Sequence, residues 1–76
     1  MPRPGFVICR ARVCERREQV AVVELSNGHR LFARRRLRDG GTVADLAPGD
    51  WVEVEVPVAD PSSGILLRKL ENDLEQ

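Results

Sequence analysis

Period-two alternation, running through most of the chain and closed at one point by Asn27-Gly28, restricts this sequence to a small β-fold. On a strand, successive side chains point to opposite faces, so a one-residue slip in pairing exchanges inside for outside. From Val7, the residues Val7, Cys9, Ala11 and Val13 share one face, and Ile8, Arg10 and Arg12 the other. After a polar turn at residues 15–18, the stretch Gln19 to Leu25 turns Ala21, Val23 and Leu25 inward and Val20, Val22 and Glu24 outward. Asn-Gly is the strongest short hairpin signal, and here it leads into a third strand, His29 to Arg36. A two-residue turn would pair Leu25 with Arg30 and Val23 with Phe32, burying arginines. A three-residue loop with Gly28 left-handed instead pairs Leu25 with His29, Val23 with Leu31 and Ala21 with Ala33. That register buries the apolar set and leaves Arg30, Phe32, Arg34 and Arg36 outside, so the pattern predicts the three-residue loop.

The alternation breaks between Leu37 and Ala47. Asp39-Gly40-Gly41 reads as a turn, and Thr42-Val43-Ala44-Asp45 as a capping pattern before a helical turn over Val43 to Ala47. Beyond Pro48-Gly49-Asp50, a fourth strand faces Val52, Val54, Val56 and Val58 inward, with Trp51, Glu53 and Glu55 outward as a solvated edge. Pro57 suits the end of such a strand. A turn at residues 60–64 precedes a fifth strand, Ile65 to Leu70. Five short strands with a helical connection between the third and fourth predict an all-β, five-stranded oligonucleotide-binding (OB) barrel, whose ligand face is carried by the second and third strands. Composition and periodicity by themselves leave an SH3-like barrel open. The expected organisation is a tail at residues 1–5, the barrel at 6–70 and an acidic tail at 71–76.

Seventy-six residues make one small domain with little room for a deep pocket. The short opening tail lacks the apolar run of a signal peptide, and no segment is long and apolar enough to span a bilayer, which predicts a soluble, cytoplasmic protein. Cys9 and Cys14, five residues apart on one strand, point to opposite faces and should remain reduced thiols. They offer no recognised zinc spacing with His29, so neither a metal nor another cofactor is implied. One histidine and no tyrosine leave few groups for acid–base or nucleophilic chemistry, which argues against an enzyme.

The zero net charge conceals a strong division. Residues 1–38 hold ten arginines against three acids, and residues 39–76 hold nine acids against Arg68 and Lys69, so the halves carry about +7 and −7. A field of that kind steers a polyanion to one face. The outward row of the third strand sets Phe32 between Arg30, Arg34 and Arg36, an aromatic platform flanked by phosphate donors. Arg10 and Arg12 extend the same basic surface. The bland alternatives are that Phe32 tucks beneath the 37–47 connection, that Trp51 packs on a neighbouring loop, and that His29 only serves the turn.

The residues Val23-Glu24-Leu25, Asn27-Gly28-His29, Gly49-Asp50, Val52, Val54-Glu55, Asp60, Ser62 and Gly64, in fixed spacing, resemble bacterial translation initiation factor one, an S1-like OB protein of the small ribosomal subunit. From Val23 to about Lys69 the two patterns run together without a gap. The resemblance implies contact with the 16S rRNA near the decoding site during initiation, alongside other initiation factors or ribosomal proteins, by a monomer that makes and breaks no bond. Arg38, Arg68 and Lys69 fall where the family is basic and join the expected RNA-binding set. This chain departs from the family in the stretch 38–45, where only Arg38 keeps the expected charge and two acids have entered, and at Arg34, where the family usually has histidine. Two other readings follow: a diverged paralogue that binds single-stranded RNA generally or acts as a chaperone, and a protein-interaction OB module. For the first reading, Arg34→Glu with Arg36→Glu is expected to abolish RNA binding with the fold intact.

Overall fold

The computed structural model describes residues 4–70; the anticipated acidic tail and part of the opening tail lie outside them. Five strands form in chain order: β1 (Phe6–Arg16), β2 (Ala21–Leu25), β3 (Arg30–Arg35), β4 (Trp51–Pro57) and β5 (Ser63–Lys69). They close into a barrel in the order β1-β2-β3-β5-β4, with β4 returning to β1. All pairings are antiparallel except β3 with β5. The parallel pairing requires a long crossover, supplied by residues 36–62 with β4 inside them.

The hairpin register is the anticipated one. Val23 pairs with Leu31 and Ala21 with Ala33, and the Leu25 amide donates to the His29 carbonyl at 2.8 Å. Gly28 has a φ of 89°, left-handed backbone that glycine adopts without a Cβ penalty. Asn27 Oδ1 accepts from the His29 amide at 3.0 Å and tightens the loop. β1 is long because it serves two neighbours: Phe6 to Arg12 pair with β4, and Ala11 to Arg16 with β2. A bulge between Val13 and Glu15 bends it from one to the other. The strand therefore continues through residues expected as turn, and the polar turn falls at 17–20, where the Arg17 amide donates to the Val20 carbonyl.

While Val7, on the same face of β1 as Ala11 and Val13, stays 44% exposed, inward positions of the strands meet in one core, with Leu31, Leu46, Leu66, Val13, Val23, Val43, Val52 and Val54 its largest fully buried members. Burying each such side chain is worth about 1.5–3 kcal/mol. One inner row is small throughout: Ala21 pairs with Ala33, and Ala33 with Gly64. A Cβ on Gly64 would lie 3.0 Å from the Glu55 carbonyl oxygen and 3.1 Å from Leu31 Cδ1, so β5 packs there only as glycine.

The connection between β3 and β4 differs from expectation. Its helical element is a 3₁₀ turn at Leu37–Asp39, and Val43–Ala47 makes only a turn in which the Leu46 amide donates to the Val43 carbonyl. Thr42 Oγ1 does accept from a nearby amide, that of Ala44 at 3.0 Å, but Asp45 turns away to Arg35. Val43 and Leu46, three positions apart, both enter the barrel end and are buried, and the single turn between them is what places them there. Two arginines hold the segment down. Arg16 Nη1 donates to the Ala44 and Leu46 carbonyls at 2.7 and 3.1 Å. Arg35, which by alternation points inward, leaves the barrel end to donate to the Thr42 carbonyl at 2.9 Å and to Asp45 at 2.7 Å. That guanidinium holds the Asp45 carboxyl below its ordinary pKa.

Two outward–inward assignments are corrected. Val58 lies beyond β4 and is exposed, since the sheet ends at Pro57 and alternation ends with it. Glu55, expected as a solvated edge residue, is buried, because closure places β4 between Ile8 of β1 and Ile65 of β5, and Arg36 reaches over to it.

Candidate nucleic-acid interface

β3 presents Arg30, Phe32 and Arg34 on the outer face, all exposed, with Leu31 and Ala33 buried between them. Phe32 keeps 49% of its surface accessible, so it does not tuck beneath the connection. Its cross-strand neighbours are Val22 on β2 and Ser63 on β5. Arg34, opposite Ile65, stands between two shallow grooves of about 320 and 350 Å³, the first reaching Val20 and Leu37, the second Phe6 and Pro57.

The cations sort by what they touch. Arg17 pairs with Glu15, Arg35 with Asp45, Arg36 with Glu55, Arg68 with Glu53 and Lys69 with Asp50. Arg16 holds carbonyls, and Arg10 lies over the ring of Trp51 at 4.8 Å. Arg12, Arg30, Arg34 and Arg38 have no ion-pair partner among the described residues. Two of these five pairs, Arg35–Asp45 and Arg36–Glu55, join the basic half of the sequence to the acidic half, so folding offsets the division only in part, and the arginines left unpaired among the described residues lie on β1, β3 and the turn that follows. Arg30 and Arg12 are both cross-strand neighbours of Glu24, which stands between them on β2.

The expected RNA-binding set therefore separates. Arg30, Phe32, Arg34, Arg12 and Arg10 share the outer surface of β1–β3, and Arg38 is exposed just past β3. Arg68 and Lys69 occupy the far end of β5 from Ser63, the residue beside Phe32, and each already holds a carboxylate. Arg36 is 3.4 Å from the buried Glu55 carboxylate. Arg36→Glu is expected to lower stability by about 1–3 kcal/mol, because it sets a second acid beside a buried one; a thermal melt measures it, and an unchanged melting temperature would refute the structural role. The Arg34→Glu, Arg36→Glu pair is consequently no clean probe of binding.

Leu37 was not anticipated. It is 92% exposed between Arg36 and Arg38. The signal was a leucine isolated in an arginine run where alternation stops. His29 does more than serve its turn: its Nε2 lies 2.9 Å from the Pro61 carbonyl oxygen, joining the β2–β3 hairpin to the loop before β5. Cys9 and Cys14 are free thiols. Among the described residues no three of histidine, cysteine, aspartate and glutamate converge as a metal site would require, and no helix is long and apolar enough to cross a membrane.

No protein-family model and no curated protein matches the chain. Among solved structures it is similar to translation initiation factor one from the Wolbachia endosymbiont strain TRS of Brugia malayi, with a TM-score of 0.65 and 20% identity over 90% of this chain and 82% of that one. It is also similar to YjeQ from Thermotoga maritima, with a TM-score of 0.64 and 23% identity over 86% of this chain. The chain spans 23% of the YjeQ chain. At these identities the likeness is one of fold: a closed five-stranded OB barrel of the kind found in initiation factor one.

Proposed function

We propose that this protein binds single-stranded RNA on the outer face of β1–β3, and that its target is the 16S rRNA of the small ribosomal subunit near the decoding site during translation initiation. The observation that carries the reading is Phe32, exposed between Arg30 and Arg34, two guanidiniums without carboxylate partners among the described residues. A base stacked on one aromatic contributes about 1–3 kcal/mol, and planar guanidiniums on either side meet phosphates in bidentate fashion. Binding is by occupancy, with no bond made or broken, and the protein works as a cytoplasmic monomer. The ribosomal target is supported by the sequence resemblance to initiation factor one and by the likeness of fold to the Wolbachia factor.

A second reading, a paralogue that binds single-stranded RNA generally, is favoured by one observation. The connection that in the family is a basic stretch is here fastened to the barrel by Arg16 and Arg35 and carries Asp39 and Asp45. Co-sedimentation with small ribosomal subunits separates the two. Stoichiometric pelleting that withstands an excess of unrelated single-stranded RNA is expected for the initiation role; pelleting lost to the competitor supports the general binder. Absence of salt-sensitive RNA binding of any kind would overturn both, since phosphate contacts made by about four arginines should give a slope of about −2 to −3 in log K against log salt.

A further inference from the structure

Trp51 lies on the far side of β1 from β2 and β3. Arg12 pairs across to it, and the guanidinium carbon of Arg10 sits 4.8 Å from its ring centroid. Beside this stack runs an open groove of about 690 Å³, lined by Cys9, Arg10, Leu25, Ser26, Asn27 and Trp51. That volume is within the range of small-molecule sites. Cys9, Leu25 and the indole give the groove apolar lining, and Arg10, Ser26 and Asn27 polar lining. Asn27 spends its oxygen on the His29 amide, and neither its NH₂ group nor the Ser26 hydroxyl has a protein partner among the described residues. A flat apolar body with a hydrogen-bonding edge, the shape of a nucleobase, matches such a lining.

We infer that the groove beside Arg10 and Trp51 is a second base-stacking site, and that one RNA strand crosses β1 from Phe32 to reach it; this rests on the RNA-binding reading above. The path is laid out by cross-strand neighbours: Arg30 beside Glu24, Glu24 beside Arg12, Arg12 beside Trp51. Three strand spacings of about 4.8 Å put the ends about 14 Å apart, a span of a few nucleotides. Arg30 and Arg12 flank the path with charge opposite to the RNA backbone, and Glu24, their shared cross-strand neighbour, has its carboxylate 3.8 Å from the Cys14 thiol. At the end of it Arg10 already covers the indole, so a base arriving there extends an existing stack by lying on the guanidinium plane or by taking its place on the ring.

Trp51 is the sole tryptophan and the chain has no tyrosine, so its emission reports this groove alone. Hexauridylate is titrated into the intact protein at low salt, with the anisotropy of a labelled copy followed in parallel. The expected result is quenching of Trp51 over the same RNA concentrations at which anisotropy rises, and a loss of affinity of about fivefold or more in Trp51→Leu. Arg10→Gln, which leaves the indole in place, gives the same comparison should the leucine variant melt early. Rising anisotropy with unchanged Trp51 emission would overturn the second site and leave the β3 site standing. No rise in anisotropy would overturn the RNA reading itself.

Discussion

Replacing Arg30 by glutamine and Arg34 by glutamate together is expected to weaken RNA binding about a hundredfold or more, with the melting temperature held. Each arginine stands to lose a charge-assisted phosphate contact worth about 1.5–3 kcal/mol, and the new carboxylate at 34 adds repulsion. Glutamine is chosen at 30 because Glu24 lies directly across the ladder, and a glutamate there would set two like charges face to face. Arg34 faces Ile65 and has no acid partner among the described residues, so reversal there leaves no ion pair broken. Surface changes of this kind usually shift stability by less than about 0.5 kcal/mol. Titration of labelled single-stranded RNA gives the affinity and a thermal melt the control; unchanged affinity in the folded variant would remove the site from β3.

The second large effect is expected at Leu46, far from that face in function. This side chain, 1% exposed, closes one end of the barrel together with Val43. Leu46→Ala should cost about 2–5 kcal/mol through lost burial and the cavity left behind. A chain of this size is stable by only about 4–11 kcal/mol in total, so the melting temperature should fall by on the order of 10 °C or more. The cavity cannot readily collapse, because Arg16 and Arg35 hold the carbonyls of Leu46 and of Thr42 and Ala44 before it to the strand ends. A melting temperature within a few degrees of the parent would mean that the segment is not part of the cooperative barrel. Below the transition, RNA affinity should be unaltered, since Leu46 is enclosed in the core while the proposed contacts stand on the opposite face of the sheet.

Much of the site was legible because the hairpin is a local problem. Period two, the left-handed demand at Gly28 and the cost of burying arginine admit a single register, and that register alone turns Arg30, Phe32 and Arg34 outward together. Arg35 was legible for the same reason: alternation sends it inward, and only the barrel end offers a guanidinium a way out. The position of the helical turn was not legible, since Val43 and Leu46 are drawn into the core by contacts that no capping pattern records. Arg36, Arg68 and Lys69 resembled Arg30 and Arg34 in the sequence, and nothing local distinguished them.

The alternation of each strand, the β2–β3 register and the outward residues of β3 all follow from steric and burial constraints between residues close in the chain. Local pattern was enough for these. Which of the outward charges remain available depends instead on barrel closure. Arg36 meets Glu55 nineteen positions away, because the parallel pairing of β3 with β5 brings β4 near the end of β3, whereas Arg68 meets Glu53 fifteen away as its cross-strand partner in the consecutive β4–β5 pair. Burial of a carboxylate and the choice of its partner share that dependence, since both arise from water excluded by neighbouring strands rather than from any property of the segment itself.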